Sequence, residues 1–185
     1  NQAGEATNTA NNNTAVGERA MHLNQTGNSN TAMGRSALEN TTTATLNVAL
    51  GGETMGGITS GIAIQDCVGV GYAAFKGSSS TTTGANGTVA IGRNALNGLT
   101  TGNGNVAIGY YSMAGGGTQN TSTAVGYATL QNSTSGMVGN TAIGYGVLDA
   151  ANNSGADDNT GVGKEALGQL SSGAQNVAVG KDAGN

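Results

Sequence analysis

The stretch Asn105-Val106-Ala107-Ile108-Gly109-Tyr110-Tyr111-Ser112-Met113 decides the fold, because variants of it recur along the whole chain. Ten copies close on a glycine: Gly17, Gly34, Gly51, Gly71, Gly92, Gly109, Gly126, Gly144, Gly163 and Gly180. The residue before that glycine is always aliphatic: Val16, Met33, Leu50, Val70, Ile91, Ile108, Val125, Ile143, Val162 and Val179. Before it stands Ala, replaced by Gly at Gly69 and Gly161, and before that stands Thr or Val. Self-similarity at this period marks a stacked repeat, in which no single residue acts alone.

Successive motif glycines are 17, 17, 20, 21, 17, 17, 18, 19 and 17 residues apart. A constant segment of strand plus turn therefore alternates with a variable loop. The longest insertions fall around 52–65 and 76–87, the second carrying the polar run Ser78-Ser79-Ser80-Thr81-Thr82-Thr83. Within the motif, Val106 and Ile108 share one face of a strand while Ala107 takes the other. Thr, Val and Ile favour strands. A period-2 segment closed by glycine and repeated at this spacing predicts an all-β parallel β-roll, or β-solenoid. About ten coils of 17–21 residues, stacked at the ~4.8 Å interstrand spacing, make one repetitive domain over 1–185, a rod roughly 48 Å tall.

Four columns of side chains follow from stacking. The expected coil core pairs the aliphatic column (Val16, Ile91, Ile108, Ile143, Val179) with the Leu or Met four residues after the glycine (Leu38, Leu96, Leu130, Leu148, Leu167). The Ala column then points outward. Its invariably small side chains predict close contact with a second wall, so Ala15, Ala32, Ala49, Ala90, Ala107, Ala124, Ala142 and Ala178 are the expected interface of a tight homo-oligomer. Two or three aliphatic side chains per coil, at ~1.5–3 kcal/mol each, struggle against ~1 kcal/mol or more of backbone entropy per residue. An isolated chain is therefore expected to need association. The fourth column is Asn13, Asn30, Asn47, Asn105, Asn140, Asn159 and Asn176, whose amides are placed to bond from coil to coil.

Composition narrows the function. The chain has 185 residues with 34 Gly, no Pro, no Trp, one Phe and a net charge of −4. Too few large aromatics are present for an ordinary enzyme core. Arg19, Arg35, Lys76, Arg93, Lys164 and Lys181 are scattered in sequence, so no nucleic-acid partner is expected. No segment has transmembrane length or the pattern of a signal peptide, so no membrane insertion by this segment is expected. Cys67 is the sole cysteine and reads as a small apolar wall residue. The abrupt ends suit a fragment of a longer fibre or adhesin.

Thr88-Val89-Ala90-Ile91-Gly92 and Asn105-Val106-Ala107-Ile108-Gly109 resemble the repeats of YadA-like head domains in trimeric autotransporter adhesins. Asn30-Thr31-Ala32-Met33-Gly34-Arg35-Ser36-Ala37-Leu38 is similar to repeats of phage tail-fibre and other trimeric fibre proteins. The resemblance covers nearly the whole chain. It implies a left-handed roll assembled as a homotrimer, extracellular on a bacterial surface or a virion tail fibre. It also implies a cell-surface glycan or protein receptor as partner. The repeat here is longer than in the usual adhesin head, and no neck, stalk or membrane anchor is visible.

No enzyme, cofactor or metal site is expected. His22 is the only histidine, which rules out a triad or multi-histidine site within one chain. Gly161-Val162-Gly163-Lys164 lacks the upstream glycine and following Ser/Thr of a phosphate loop. Asp157, Asp158 and Asn159, with Asn152 and Asn153, read as a solvated turn rather than a calcium site. No pair of carboxylates is singled out as a glycosidase pair. The residue after the glycine is the candidate ligand-binding column: Tyr72, Tyr110, Tyr127 and Tyr145, with Arg93 among them. Tyrosines on a rigid ladder offer faces for sugars or interface contacts, and the insertions compete with them for that role. The expected function is multivalent, non-catalytic receptor binding. A rigid spacer is the alternative, and an ice-binding solenoid the remote one, disfavoured because the Thr column is expected to point inward.

Overall fold

The computed structural model describes residues 9–78, 84–133, 136–151 and 155–185. Ser79 to Thr83 of the second insertion, with Asn152 and Asn153, lie outside the described residues. The described chain is all-β and helix-free. Its first five strands are β1 (Thr14–Val16), β2 (Thr31–Met33), β3 (Val48–Leu50), β4 (Val68–Val70) and β5 (Val89–Ile91). There follow β6 (Leu99–Thr101), β7 (Val106–Ile108), β8 (Gly117–Asn120) and β9 (Thr123–Val125). The last four are β10 (Met137–Val138), β11 (Thr141–Ile143), β12 (Thr160–Val162) and β13 (Val177–Val179).

The ten motif strands form one parallel sheet in the order β1-β2-β3-β4-β5-β7-β9-β11-β12-β13. Equivalent positions stand in register from rung to rung, as in Ala90↔Ala107 and Ala107↔Ala124. The chain is thus a β-solenoid of about nine turns. A second wall, β10-β8-β6, is also parallel and covers the return side of the middle coils. That wall has no fixed motif, and sequence reasoning did not anticipate it.

The structure reverses the two faces expected of the motif strand. Ala32, Ala49, Ala90, Ala107, Ala124 and Ala142 are fully buried inside the coil, Ala178 is nearly so, and Ala15 packs against the same core. Val16, Ile91, Ile143 and Val179 point outward, as does the half-buried Ile108. The alanines are therefore core and the aliphatic column is surface. Parity explains this. Asn and Ala in the motif are two residues apart, so they share a face, and the Asn side chains are buried by their hydrogen bonds. Alanine is small because the interior is already crowded from the other side. A Cβ on Gly69 would stand 2.6 Å from Thr54 Cγ2, and one on Gly161 would stand 2.6 Å from Val147 Cγ1.

What fills the interior is the other expected column: Leu38, Leu96, Leu130, Leu148 and Leu167, with Met21, Met55, Phe75 and Met113, all buried. Each leucine sits at a left-handed backbone position, for example Leu38 at φ 51° and Leu96 at φ 53°. That conformation costs a non-glycine residue about 1–2 kcal/mol. Burying a leucine recovers about 1.5–3 kcal/mol, so burial wins. The return side adds Ala44, Ile64, Leu99, Met137 and Ala156.

The asparagines build a ladder through the interior. Asn30 donates from Nδ2 to the Ala44 carbonyl at 2.6 Å, and its Oδ1 accepts from the Asn47 amide at 3.0 Å. Asn140 repeats the pattern, donating to the Ala156 carbonyl at 2.7 Å and accepting from the Asn159 amide at 2.9 Å. Each side chain thus ties one coil to the next and satisfies buried backbone groups. Cys67 replaces Asn in this column. Its thiol donates to the Ala85 carbonyl at 3.1 Å, and burial pushes its pKa up to about 11, so it stays protonated and inert.

The motif glycine is required by two facts together. At Gly126 φ is +141°, and a Cβ there would collide with the Gly144 carbonyl oxygen of the next coil. The Gly126→Ala variant is expected to lose about 3 kcal/mol or more, combining backbone strain with the clash. Thermal unfolding followed by circular dichroism checks this, and a melting temperature within a degree of the parent would refute it.

Candidate functional site

Turning the motif strand inside out leaves a continuous apolar stripe on the outside. Val16 is 52% exposed, Met33 46%, Ile91 38% and Ile143 41%, and Leu50, Val70, Ile108, Val125 and Val162 continue the line. Beside it runs the Thr/Val column, also directed outward, from Thr14 through Val48, Val106 and Thr141 to Val177. The expectation that these threonines point inward is therefore corrected, for the same parity reason. Ten rungs at ~4.8 Å and two columns ~7 Å apart give a flat face of roughly 300 Å² before its flanks are added. Half of the second column is Thr, so the face alternates apolar and hydroxyl-bearing side chains, at about the size of the largest patch on an ordinary monomer.

Along one flank the residues after the glycines form a stacked column. Tyr110 and Tyr127 stack with centroids 5.3 Å apart and planes 15° from parallel, and Tyr127 and Tyr145 do so at 5.3 Å and 9°. Arg93 lies between two rings, its Cζ 5.8 Å from Tyr72 and 5.9 Å from Tyr110. Lys164 closes the far end, 5.6 Å from the Tyr145 ring. Stacking of rungs thus brings together all five residues of the candidate ligand-binding column. It also changes what they offer. Ring faces expected to receive sugars are turned toward one another or toward a cation, and each cation–π contact contributes about 0.5–1 kcal/mol at such exposure. Ring edges and hydroxyls remain at the surface of these partly exposed side chains.

A third feature was not legible in sequence. Over the turns of the first four coils lies a notch of about 250 Å³ bordered by Arg19, Arg35, Glu39, Asn40, Glu53 and Lys76. Arg19 pairs with Glu39, and Lys76 Nζ stands 2.9 Å from Glu53 Oε2. Tyr72 donates its hydroxyl to Glu53 Oε1 at 3.1 Å. The Lys76 hydrogen bond is the main reason the Glu53 carboxyl is held below its ordinary range, against the opposing effect of burial. A second hollow, of about 220 Å³, lies over the last coils beside Tyr145, Asp149 and Glu165. There burial raises the Asp149 carboxyl above its usual value.

The other residues weighed from sequence do not assemble into chemistry. Among the described residues no group of three or more His, Cys, Asp or Glu side chains is placed to hold a metal ion. No helix of the described residues is long and apolar enough to cross a membrane. Gly163 ends a strand like every other motif glycine, and Lys164 after it lies against Tyr145.

No protein-family model matches the chain, and no curated protein or solved structure is significantly similar to it.

Proposed function

We propose that this chain is the head of a trimeric, non-catalytic fibre or adhesin that displays a receptor-binding surface outside the cell. The observation that carries the proposal is the outward apolar stripe, unbroken over ten rungs. Its side chains repeat at the rung spacing along the whole rod. A partner that matches such a period from end to end is another copy of the same roll in parallel register. The resemblance of the repeats to trimeric adhesin heads and tail-fibre proteins supports three copies and a left-handed coil. The interface is the aliphatic and Thr/Val columns, not the alanines. Three equivalent copies then multiply a modest contact through effective concentration.

Receptor recognition falls to the tyrosine column and the notch beside it, through edges, hydroxyls and charges rather than through open ring faces. The Tyr110→Ala, Tyr127→Ala double variant is expected to bind target cells or a glycan array at least ten-fold more weakly, with its oligomeric state unchanged. Undiminished binding would remove the column from the receptor surface.

The outward Thr/Val column favours a second reading, an ice-binding face, since regular Thr and aliphatic columns on a flat solenoid wall are suited to ordering water. That reading needs the stripe open to solvent, whereas trimerisation covers it. Thermal hysteresis from a monomeric protein would select ice binding, and a trimer without hysteresis would select the fibre.

A further inference from the structure

We infer that the notch over the first four coils is a binding site for a single acidic sugar residue carrying one carboxylate. The inference deepens the receptor-display reading and rests on it for the ligand being a glycan.

Six basic side chains serve a chain of 185 residues, and three of them, Arg19, Arg35 and Lys76, border this one notch. They come from three different coils and meet only because the coils stack. Glu39 and Glu53 in the same lining offset two of these charges, and Glu18, just outside it, stands 3.9 Å from the third. The ion pairs are unequal. Arg19 is engaged by Glu39, and Lys76 and Tyr72 both close on Glu53 within hydrogen-bond distance. Arg35 is different. Its Nε is 3.9 Å from Glu18 and its Nη1 is 3.8 Å from Glu53, both beyond hydrogen-bond reach, and its side chain is 64% exposed. A guanidinium steered by two carboxylates but bonded to neither keeps its planar fork for an incoming carboxylate.

The rest of the lining suits a sugar ring. Glu39 and Glu53 supply acceptors for ring hydroxyls. Gly56 and Gly57 contribute backbone to the lining, and Asn40 is held there by donating to the Gly56 carbonyl at 2.6 Å. A volume of about 250 Å³ falls below the ~300–1,000 Å³ typical of drug-sized ligands, so it takes one residue of a glycan and not a longer stretch. Two carboxylates in the lining oppose a doubly charged phosphate, which selects a monoanion.

The test uses the methyl glycosides of glucuronic acid and of N-acetylneuraminic acid, each with its carboxylate free, as probes titrated into the full chain and followed by amide shifts. Methyl glucoside and glucose 6-sulfate serve as neutral and sulfated controls. Binding of either carboxylate sugar in the millimolar range, with shifts at Arg35, Asn40 and Gly57 and at least ten-fold weaker binding of methyl glucoside, is expected. The Arg35→Ala variant should weaken that binding at least ten-fold. Lys181→Ala, which removes the same charge far from the notch, should change it less than two-fold. Equal loss in both variants would reduce the effect to bulk charge and overturn the site. Preference for the sulfate ester would overturn the carboxylate assignment, and no shift with any probe would overturn the notch itself. Cell binding by the parent protein without any sugar response would leave receptor display standing while removing this site. Failure of both would remove the two together.

Discussion

The Ile91→Lys, Ile143→Lys double variant is expected to lose assembly altogether at micromolar concentration. Both side chains lie on the outward stripe and neither contributes to the coil interior, so the charges meet no resistance within one chain. Across the proposed threefold interface they would place six ammonium groups in the seam, and each unpaired buried charge costs several kcal/mol. Sedimentation equilibrium should show the parent as a trimer and the variant as a monomer, with matching far-ultraviolet circular dichroism. A variant that still sediments as a trimer would take the stripe out of the interface. A variant that loses its β-structure with its partners would show instead that the coil depends on assembly for its stability.

The Ala107→Leu variant is expected to fail differently, by damaging the coil itself. Ala107 is fully buried between Ala90 and Ala124 on the inner face of the sheet. Three added carbons have nowhere to go in an interior only a few side chains thick. Overpacking of this kind costs about 3 kcal/mol, equivalent to a fall of roughly 6–12 °C in Tm for a chain of this size. The loss should be independent of protein concentration. The neighbouring Ile108→Leu variant, on the outer face, should leave the Tm of the isolated chain within about 2 °C. Equal losses for the two would mean that the inner and outer faces are not as distinct as the structure has them.

These two variants exchange the roles that the motif suggests when read alone. Uniformly small residues look like a close-packed interface, and uniformly aliphatic ones look like a core. The signal against that reading was present in the same five residues. Asn105 and Ala107 have the same parity, and a buried Asn ladder carries the alanine inside with it. The leucine column needed no such correction, because Leu38 and Leu96 recur at a fixed offset after the motif glycine and lie buried inside the coil. The tyrosine column was legible as a column, since register follows from the repeat. That Tyr110, Tyr127 and Tyr145 stack while Arg93 lies between Tyr72 and Tyr110 was not legible, because ring orientation depends on side-chain torsions that a spacing does not contain. The notch was illegible for a further reason. Arg19, Arg35, Glu53 and Lys76 belong to different repeats and to no shared motif, and the variable loops decide which of them overhang the same turn.

The amino-acid sequence by itself determined the period, the parallel in-register stacking, the glycine at each bend and the Asn ladder, since these depend only on local backbone chemistry repeated at fixed spacing. The tertiary structure alone decided which side of a three-residue strand faces the interior and which charged side chains share a surface. A strand alternates whichever way it is turned, and only closure of the coil, with a finite volume inside, selects one of the two faces.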